Sequence, residues 1–284
     1  IYRKVIEVHT TNRLFVAYKP TGISSNTYLS KLKRKYKTKK AGFTGTLDPF
    51  AKGVLIIGMG SHTKLFRFLD KTPKSYRATL WLGANSDSLD TELISEVNIV
   101  KAFEDCIVED AVKSLEGDLE YEPPIFSAKR INGQRAYDLA RAGKEFTLNR
   151  INSTIYEISL IHYVHPFVTF EATVSEGTYI RSLGKIIANK LGVEYGSLSA
   201  LERLNEGKFT FEDEKVLDIK ESLNIPRNFY LGDKDNLKYG RVLAIEDIDI
   251  KENGYYWLDN DDNISIINVQ DNNVNYELGR IYTC

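Results

Sequence analysis

The spacing of apolar and polar positions predicts several strands. Residues 13–18 and 53–58 form short, nearly continuous apolar runs, and the first run ends at the turn residues 19–22. Such runs are typical of strands buried on both faces. Residues 76–82 and 167–174 alternate between apolar and polar positions, which is typical of strands with one buried face.

The same pattern predicts three helices. The first is capped by Ser24 or Ser25 and continues to about Tyr36. Two more are expected around residues 109–115 and 180–191. Because strands and helices are mixed without strict alternation along the chain, we expect an α+β catalytic domain built on a mixed sheet.

The composition changes from about residue 232 onward. Residues 231–284 hold 11 Asp and Glu against 5 Lys and Arg, and their short apolar runs are separated by turn residues. This pattern predicts a small all-β domain of roughly five strands. We therefore expect two domains, residues 1–230 and residues 231–284.

The net charge of -1 conceals an asymmetry along the chain. Residues 1–80 hold 17 Lys and Arg against 3 Asp and Glu, a net charge of +14, and the remaining 204 residues carry a net charge of -15. A basic block of this size indicates a polyanionic partner such as a nucleic acid. The alternative is a solvated basic helix that is balanced by acidic neighbours.

Several classes of protein are disfavoured by composition. Two cysteines far apart and four histidines form no disulfide or zinc pattern, so we expect no zinc site. No run approaches 18 apolar residues, and no signal peptide is recognisable, so we expect a cytoplasmic protein without a membrane span. A monomer is expected, since no exposed apolar heptad indicates an interface.

One short stretch, residues 42–49, carries candidate chemistry. Gly42 and Gly45 permit tight backbone, and Pro49 restricts Asp48 to extended conformations. The stretch therefore presents one carboxylate between a basic helix and a buried strand. On spacing alone, a catalytic role stands beside the simpler interpretation of Asp48 as a turn residue.

These residues resemble the bacterial tRNA pseudouridine-55 synthases of the TruB type. The likeness starts with Lys-Pro-Thr-Gly-Ile-Ser-Ser-Asn at residues 19–26 and Gly-Phe-Thr-Gly-Thr-Leu-Asp-Pro at residues 42–49. Further motifs follow in family order at residues 74–78, 82–83, 86–90, 123–129, 133–143 and 176–183. Together they span about residues 13–209, roughly 70% of the chain.

The resemblance implies a pseudouridine synthase domain, followed by a small C-terminal domain of PUA type that meets the acceptor end of tRNA. The implied activity is the isomerisation of the uridine at position 55, in the T-arm of tRNA, by an aspartate nucleophile. That aspartate falls on Asp48, and Arg181 matches the arginine that pairs with it. Tyr76 matches the tyrosine that stacks on the target base and is a candidate proton relay. The reaction implied by the resemblance needs no metal and no cofactor, so we expect neither. Without the family, Arg181 is equally consistent with a structural ion pair.

Other residues are expected to bind substrate on the same grounds. Tyr179 and Leu201 match residues that line the base pocket, and the motifs at residues 19 and 90 add Lys19 and Asp90. Without the resemblance to the family, Tyr76 and Leu201 are both more consistent with core packing, and the motif context reverses that interpretation only for Tyr76. The family's Leu-Arg-Arg tract appears as Leu201, Glu202 and Arg203, one residue late by count, so we expect one basic contact fewer.

The base must leave the stack before it can react, and one departure from the family concerns that step. Where the family has a histidine that fills the vacated space, this chain has Phe43. An aromatic ring can still stack, but it has no imidazole to titrate or donate hydrogen bonds. We therefore expect base flipping to survive and predict no acid–base role at this position.

A segment at about residues 125–152 combines cations, including Lys129 and Arg141, with aromatic residues. It resembles the family's mobile thumb, and we expect it to clamp RNA, with cations on phosphates and rings on bases. The alternative is a charged surface helix and hairpin. From the C-terminal domain, with its net charge of -6, we expect no strong contribution to RNA binding.

Two other functions were weighed. One is a catalytically silent RNA chaperone with the same fold, against which the retained Asp48, Tyr76 and Arg181 argue. The other is a glycoside hydrolase, which needs two carboxylates across one bond. Asp87 and Asp90 are its candidates, but the family motif explains both better.

Overall fold

The computed structural model describes residues 12–127, 129–131, 133–144 and 146–283. The strands are β1 (Arg13–Lys19), β2 (Ala41–Phe43), β3 (Lys52–Met59), β4 (Lys74–Leu82), β5 (Ala84–Ser86), β6 (Ile94–Val97), β7 (Gly117–Tyr121), β8 (Arg130–Ile131), β9 (Gln134–Arg135), β10 (Ile151–Val164), β11 (Phe167–Val174), β12 (Gly196–Glu206), β13 (Arg227–Asn228), β14 (Gly254–Asn260), β15 (Asn263–Gln270) and β16 (Asn273–Tyr282). The helices are α1 (Ser25–Lys35), α2 (Asp105–Lys113), α3 (Ala136–Arg141), α4 (Ile180–Lys190), α5 (Ile219–Ser222) and α6 (Lys234–Tyr239). Three 3₁₀ segments span Gly60–Phe68, Thr91–Leu93 and Ile245–Asp247.

The main sheet has eight strands in the order β1-β3-β12-β4-β11-β10-β7, and β2 also pairs with β3. Its pairs are antiparallel except for β3 and β12, which are parallel. Gly53 is required at that pair, because a Cβ there would lie 2.2 Å from the backbone oxygen of Arg203. The mixed sheet with packed helices confirms the predicted α+β fold.

Strand β1 is buried on both faces, which explains its continuous apolar run. Phe15 and Ala17 pack with Leu29 of α1, whereas Leu14 and Val16 point to the opposite face and pack with the C-terminal strands. Helix α1 begins as predicted, since the Oγ of its N-cap Ser24 accepts a hydrogen bond from the backbone of Thr27.

The predicted helix around residues 109–115 is α2, which begins earlier, at Asp105, and ends at Lys113. The boundary was placed too late because Glu104, its N-cap, makes no side-chain capping bond that would mark the start. The buried residues Val108 and Val112 pack into the largest core cluster, which α4 also covers. Helix α2 packs on β10, whereas α4 packs on β12 and β4.

The C-terminal region folds into a sheet of four described strands, β13-β14-β15-β16, rather than roughly five. Its first strand, β13, begins at Arg227, before the predicted domain boundary at residue 231. Trp257, Ile264 and Ile281 of this sheet share a core with Leu14 and other side chains of β1 and β3. The C-terminal sheet is therefore packed directly on the main sheet.

Within the described ranges, no helix is both long and apolar enough to cross a membrane. In the same residues, no group of three or more His, Cys, Asp or Glu side chains is placed to hold a metal ion.

Candidate active site

A cavity of about 310 Å³ opens where the loop before β3 meets β4, β12 and the first turn of α4. Its lining includes Asp48, Tyr76, Tyr179, Arg181 and Leu201. The sequence predicted each of these five residues for the site, and the fold brings them together from four separate segments. Lys74, Glu176 and Arg203 also line the cavity.

The loop that carries Asp48 is tied to helix α1 through the hydroxyl group of Ser25. The backbone N–H of Leu47 donates to Ser25 Oγ at 3.0 Å, and Ser25 Oγ donates to the carbonyl of Leu47 at 2.9 Å. Gly45 adopts a φ of +40°, and a Cβ there would lie 3.0 Å from Lys74 Nζ. The left-handed conformation therefore favours glycine at this position, and a side chain there would also displace the end of Lys74.

Arg181 lies in the first turn of α4, is almost fully buried and has four partners. Its Nε lies 2.9 Å from Asp48 Oδ2. Its Nη1 donates to the carbonyl of Ser88 at 2.7 Å and lies 3.4 Å from Asp90 Oδ2, and its Nη2 donates to the carbonyl of Phe126 at 2.9 Å. The two Nη atoms of the planar guanidinium are held by these partners, so that Nε points at the carboxylate of Asp48.

The charge on Asp48 is set by opposing influences. Burial in the cleft raises the pKa of its carboxyl above the usual value. Arg181 opposes that rise most strongly, Asp90 adds to it, and Lys19 lowers the pKa. About a third of the side chain remains exposed to the open cleft, so a ligand in the cavity can reach the carboxylate.

Tyr76 and Leu201 come from neighbouring strands and share one wall of the cavity. The antiparallel register of β4 and β12 sets Tyr76 opposite Arg203, and Leu201 opposite Ala78. Tyr76 is buried, and burial raises the pKa of its phenol above the usual value. Tyr179 is the N-cap of α4 and also lines the cavity. Its backbone N–H donates a hydrogen bond to the hydroxyl oxygen of Tyr121 at 2.9 Å.

Lys19 and Asp90, expected to bind substrate, are both buried behind the cavity wall. Lys19 Nζ donates to the carbonyls of Pro20 at 2.9 Å and Ile23 at 2.8 Å, so it holds the turn after β1. Asp90 accepts from Ser88 Oγ at 2.6 Å and pairs with Arg181. Their geometry suits positioning of the site rather than contact with a ligand.

Phe43 lies on β2, partly buried against the cluster between α1 and β3, and outside the cavity lining. Lys129 and Arg141 also lie outside it, in the segment of residues 125–152, which contains the β8–β9 hairpin and α3. Arg141 stacks over the ring of Tyr137 at 4.5 Å. Residues 128, 132 and 145 of this segment lie outside the described residues, as do the side chains of residues 130 and 135.

A buried ionic network beneath the loop was not predicted from the sequence. Arg203 Nη2 donates to the carbonyl of Gly45 at 3.0 Å and lies 2.7 Å from Glu206 Oε1. Thr44 Oγ1 donates to Glu206 Oε2 at 2.8 Å, and Lys74 Nζ lies 3.6 Å from the same oxygen. Alternation along β12 could have signalled Arg203, because it shares its face with the apolar Leu201.

The sequence is similar to those of known proteins. The sequence profile of the TruB family pseudouridylate synthase, N-terminal domain, matches residues 33–180. Over 270 residues the chain is 74% identical to the tRNA pseudouridine synthase B of Sulfurimonas denitrificans, covering 95% of this chain and 99% of that protein. It is 54% identical to the enzyme of the same name from a Sulfurovum species, with coverage of 95% and 97%.

Solved structures share the fold at low sequence identity. A chain of a Cbf5-Nop10-Gar1 complex matches with a TM-score of 0.66 and 20% identity, over 98% of this chain and 85% of that one. A chain of an H/ACA RNP bound to a substrate RNA containing 2'-deoxyuridine matches with a TM-score of 0.65 and 19% identity, over 98% and 87%. The profile match and the close relatives together show that this chain is an isomerase that belongs to the TruB family of pseudouridylate synthases.

Proposed function

We propose that the chain is a tRNA pseudouridine synthase that isomerises the uridine at position 55, in the T-arm, with Asp48 as the nucleophile. The observation that carries the proposal is the Asp48–Arg181 pair at 2.9 Å in a cavity walled by Tyr76. The proposed substrate agrees with the names of the relatives at 74% and 54% identity. We place the enzyme in the cytoplasm, acting as a monomer.

The reaction needs only what these residues provide. The Asp48 carboxylate attacks either the ribose or the base, the glycosidic N–C bond breaks, and the uracil rotates. Carbon C5 then bonds to the ribose, C5 loses its proton, N1 gains one, and the carboxylate leaves unchanged. No redox step occurs. Arg181 favours the ionised carboxylate against the effect of burial and aims it, and Tyr76 stacks on the base and is the candidate to relay the proton.

Two surfaces are proposed to hold the RNA. The first is α1 and the residues after it, where exposed cations such as Lys31, Arg34 and Lys39 provide phosphate contacts. The second is the thumb, the segment of residues 125–152, whose Lys129 and Arg141 would contact the T-arm backbone. Phe43 lies next to α1 and would stack in the space that the flipped base leaves.

The test is incubation with an unmodified tRNA transcript, followed by mapping of pseudouridine. Conversion of the T-arm uridine alone is expected, with no product on a transcript that has cytidine at that position. A transcript that is bound but never converted would overturn the proposal and favour the chaperone alternative. Conversion at other positions only would overturn the assignment to position 55.

A further inference from the structure

Arg203 lies on β12, is buried, and forms hydrogen bonds and an ion pair with three other residues. Its Nε donates to the carbonyl of Val54 at 2.8 Å, and its Nη2 donates to the carbonyl of Gly45 at 3.0 Å. Glu206, which is fully buried, pairs with Nη2 at 2.7 Å. The guanidinium is thus fixed on β3, on the nucleophile loop and on a buried carboxylate at once.

The same side chain reaches the cavity. Arg203 and Tyr76 stand directly opposite each other on antiparallel strands, so their side chains project from the same face, and both line the cavity. Glu202, one residue earlier, points to the other face and accepts from Tyr18 at 2.5 Å. Of these two charged neighbours, only Arg203 is placed beside the Tyr76 phenol.

We propose that Arg203 is a positioning residue of the isomerisation, which holds the Tyr76 hydroxyl in register with the loop that carries Asp48. This inference rests on the proposed function and deepens it. Because Arg203 binds the carbonyl of Gly45, three residues before the nucleophile, the phenol and the carboxylate are tied to one rigid group. Glu206 and Thr44 keep that group from turning.

Arg203 and Glu206 act on the phenol in opposite directions, which gives a readout that a purely structural role would not move. Burial raises the pKa of Tyr76, Arg203 lowers it, and Glu206 raises it. The pH–rate profile has a limb that reports the titration of the Tyr76 phenol. Removing the charge at Arg203 should therefore move this limb to higher pH. Removing the charge at Glu206 should move that limb to lower pH.

The experiment measures single-turnover pseudouridine formation from about pH 6 to about pH 11, a window that extends past the ordinary tyrosine pKa of about 10, with wild type, Arg203→Gln and Glu206→Gln. Arg203→Gln is expected to lower the plateau rate by about 100-fold, the cost of a misplaced reacting group, while tRNA affinity stays unchanged. Arg77→Gln is the matched control: Arg77 adjoins Tyr76 on β4 but points to the exposed face, so it should match wild type.

The outcomes separate the inference from the proposed function. A wild type that forms no pseudouridine overturns both. An active wild type with unchanged rate and pH profile in Arg203→Gln overturns the inference alone. Should Arg203→Gln fail to fold, Glu206→Gln decides, because its isosteric amide keeps the packing: a shift to lower pH supports the inference, and an unmoved profile contradicts it.

Discussion

The guanidinium of Arg181 donates to the carbonyl oxygen of Phe126 at 2.9 Å while its Nε lies 2.9 Å from the carboxylate of Asp48. Phe126 belongs to the thumb, and its ring packs edge-on against Tyr137 of α3 at 6.0 Å. One side chain therefore connects Asp48, the proposed nucleophile, to the base of the thumb. A point charge without the planar fork could not serve both.

Arg181→Lys tests that connection. Lysine keeps the charge but cannot reach Asp48 and the carbonyls of Ser88 and Phe126 together, so we expect the single-turnover rate to fall by about 100-fold. The unfolding free energy should fall by about 1–3 kcal/mol, since buried acceptors lose a donor. Lys185→Gln, on the exposed side of the same helix, is the control. Equal rates for Arg181→Lys and wild type would refute the role.

Phe43→Ala tests stacking in the vacated space. On folded tRNA we expect a rate loss of about 10-fold, consistent with one aromatic–base stack of about 1–3 kcal/mol. On a short unstructured oligonucleotide the loss should vanish, because no stacked base has to be replaced. Phe211→Ala, which removes an exposed aromatic ring that contacts Tyr18, is the control. Full activity of Phe43→Ala on folded tRNA would end the stacking hypothesis.

The burial of Lys19 should make the free energy of unfolding depend on pH. Burial lowers the pKa of its ammonium to about 8 from 10.5, and the charge of Asp48 opposes the shift. Between these two values the unfolded chain keeps the proton that the folded chain has released, so stability rises with pH. Methionine cannot titrate, so Lys19→Met is the reference. As the pH rises through that window, the free energy of unfolding of the wild type should increase by up to about 3 kcal/mol relative to Lys19→Met.

Denaturant unfolding of both proteins at about pH 7.5 and about pH 10 measures this difference, since all other titrating groups cancel. A gap between wild type and Lys19→Met that does not change with pH would show that Lys19 does not titrate in this range.

Because the C-terminal strands pack on the main sheet, removing them should lower the stability of the catalytic domain. Trp257, Ile264 and Ile281 bury Leu14 and Val16 of the main sheet. Ending the chain after Leu231 would expose this core, so we expect the catalytic domain to unfold at lower temperature and to aggregate. Thermal unfolding checks this, with tRNA binding measured on the fraction that stays folded. A truncated chain with unchanged stability would support an independent domain of residues 231–284.

Much of the fold followed from local patterns. The continuous apolar runs predicted β1 and β3 because both faces of these strands are covered, and the cap at Ser24 marked α1. Strand β12 was not predicted, although it lies at the centre of the sheet. Its Arg203 and Glu206 interrupt the apolar alternation, and only the folded structure shows that they pair with each other.

The same limit applies to the site. Motifs gave Asp48, Tyr76 and Arg181 as candidate catalytic residues, and the structure brings the three side chains to one cavity. The motifs could not show that Lys19 and Asp90 face inward, because a charged residue in a motif is equally compatible with a ligand contact and with a buried partner. That distinction depends on long-range packing, which spacing along the chain does not encode.

The central claim is that Asp48 is the nucleophile, and Asp48→Asn tests it most directly. The amide keeps the shape of the side chain but removes its charge, so the variant should fold and bind tRNA. Single-turnover assays on an unmodified transcript, with pseudouridine mapped at the T-arm uridine, should detect no product from Asp48→Asn beyond the uncatalysed background. Product formation at the wild-type rate would contradict the account.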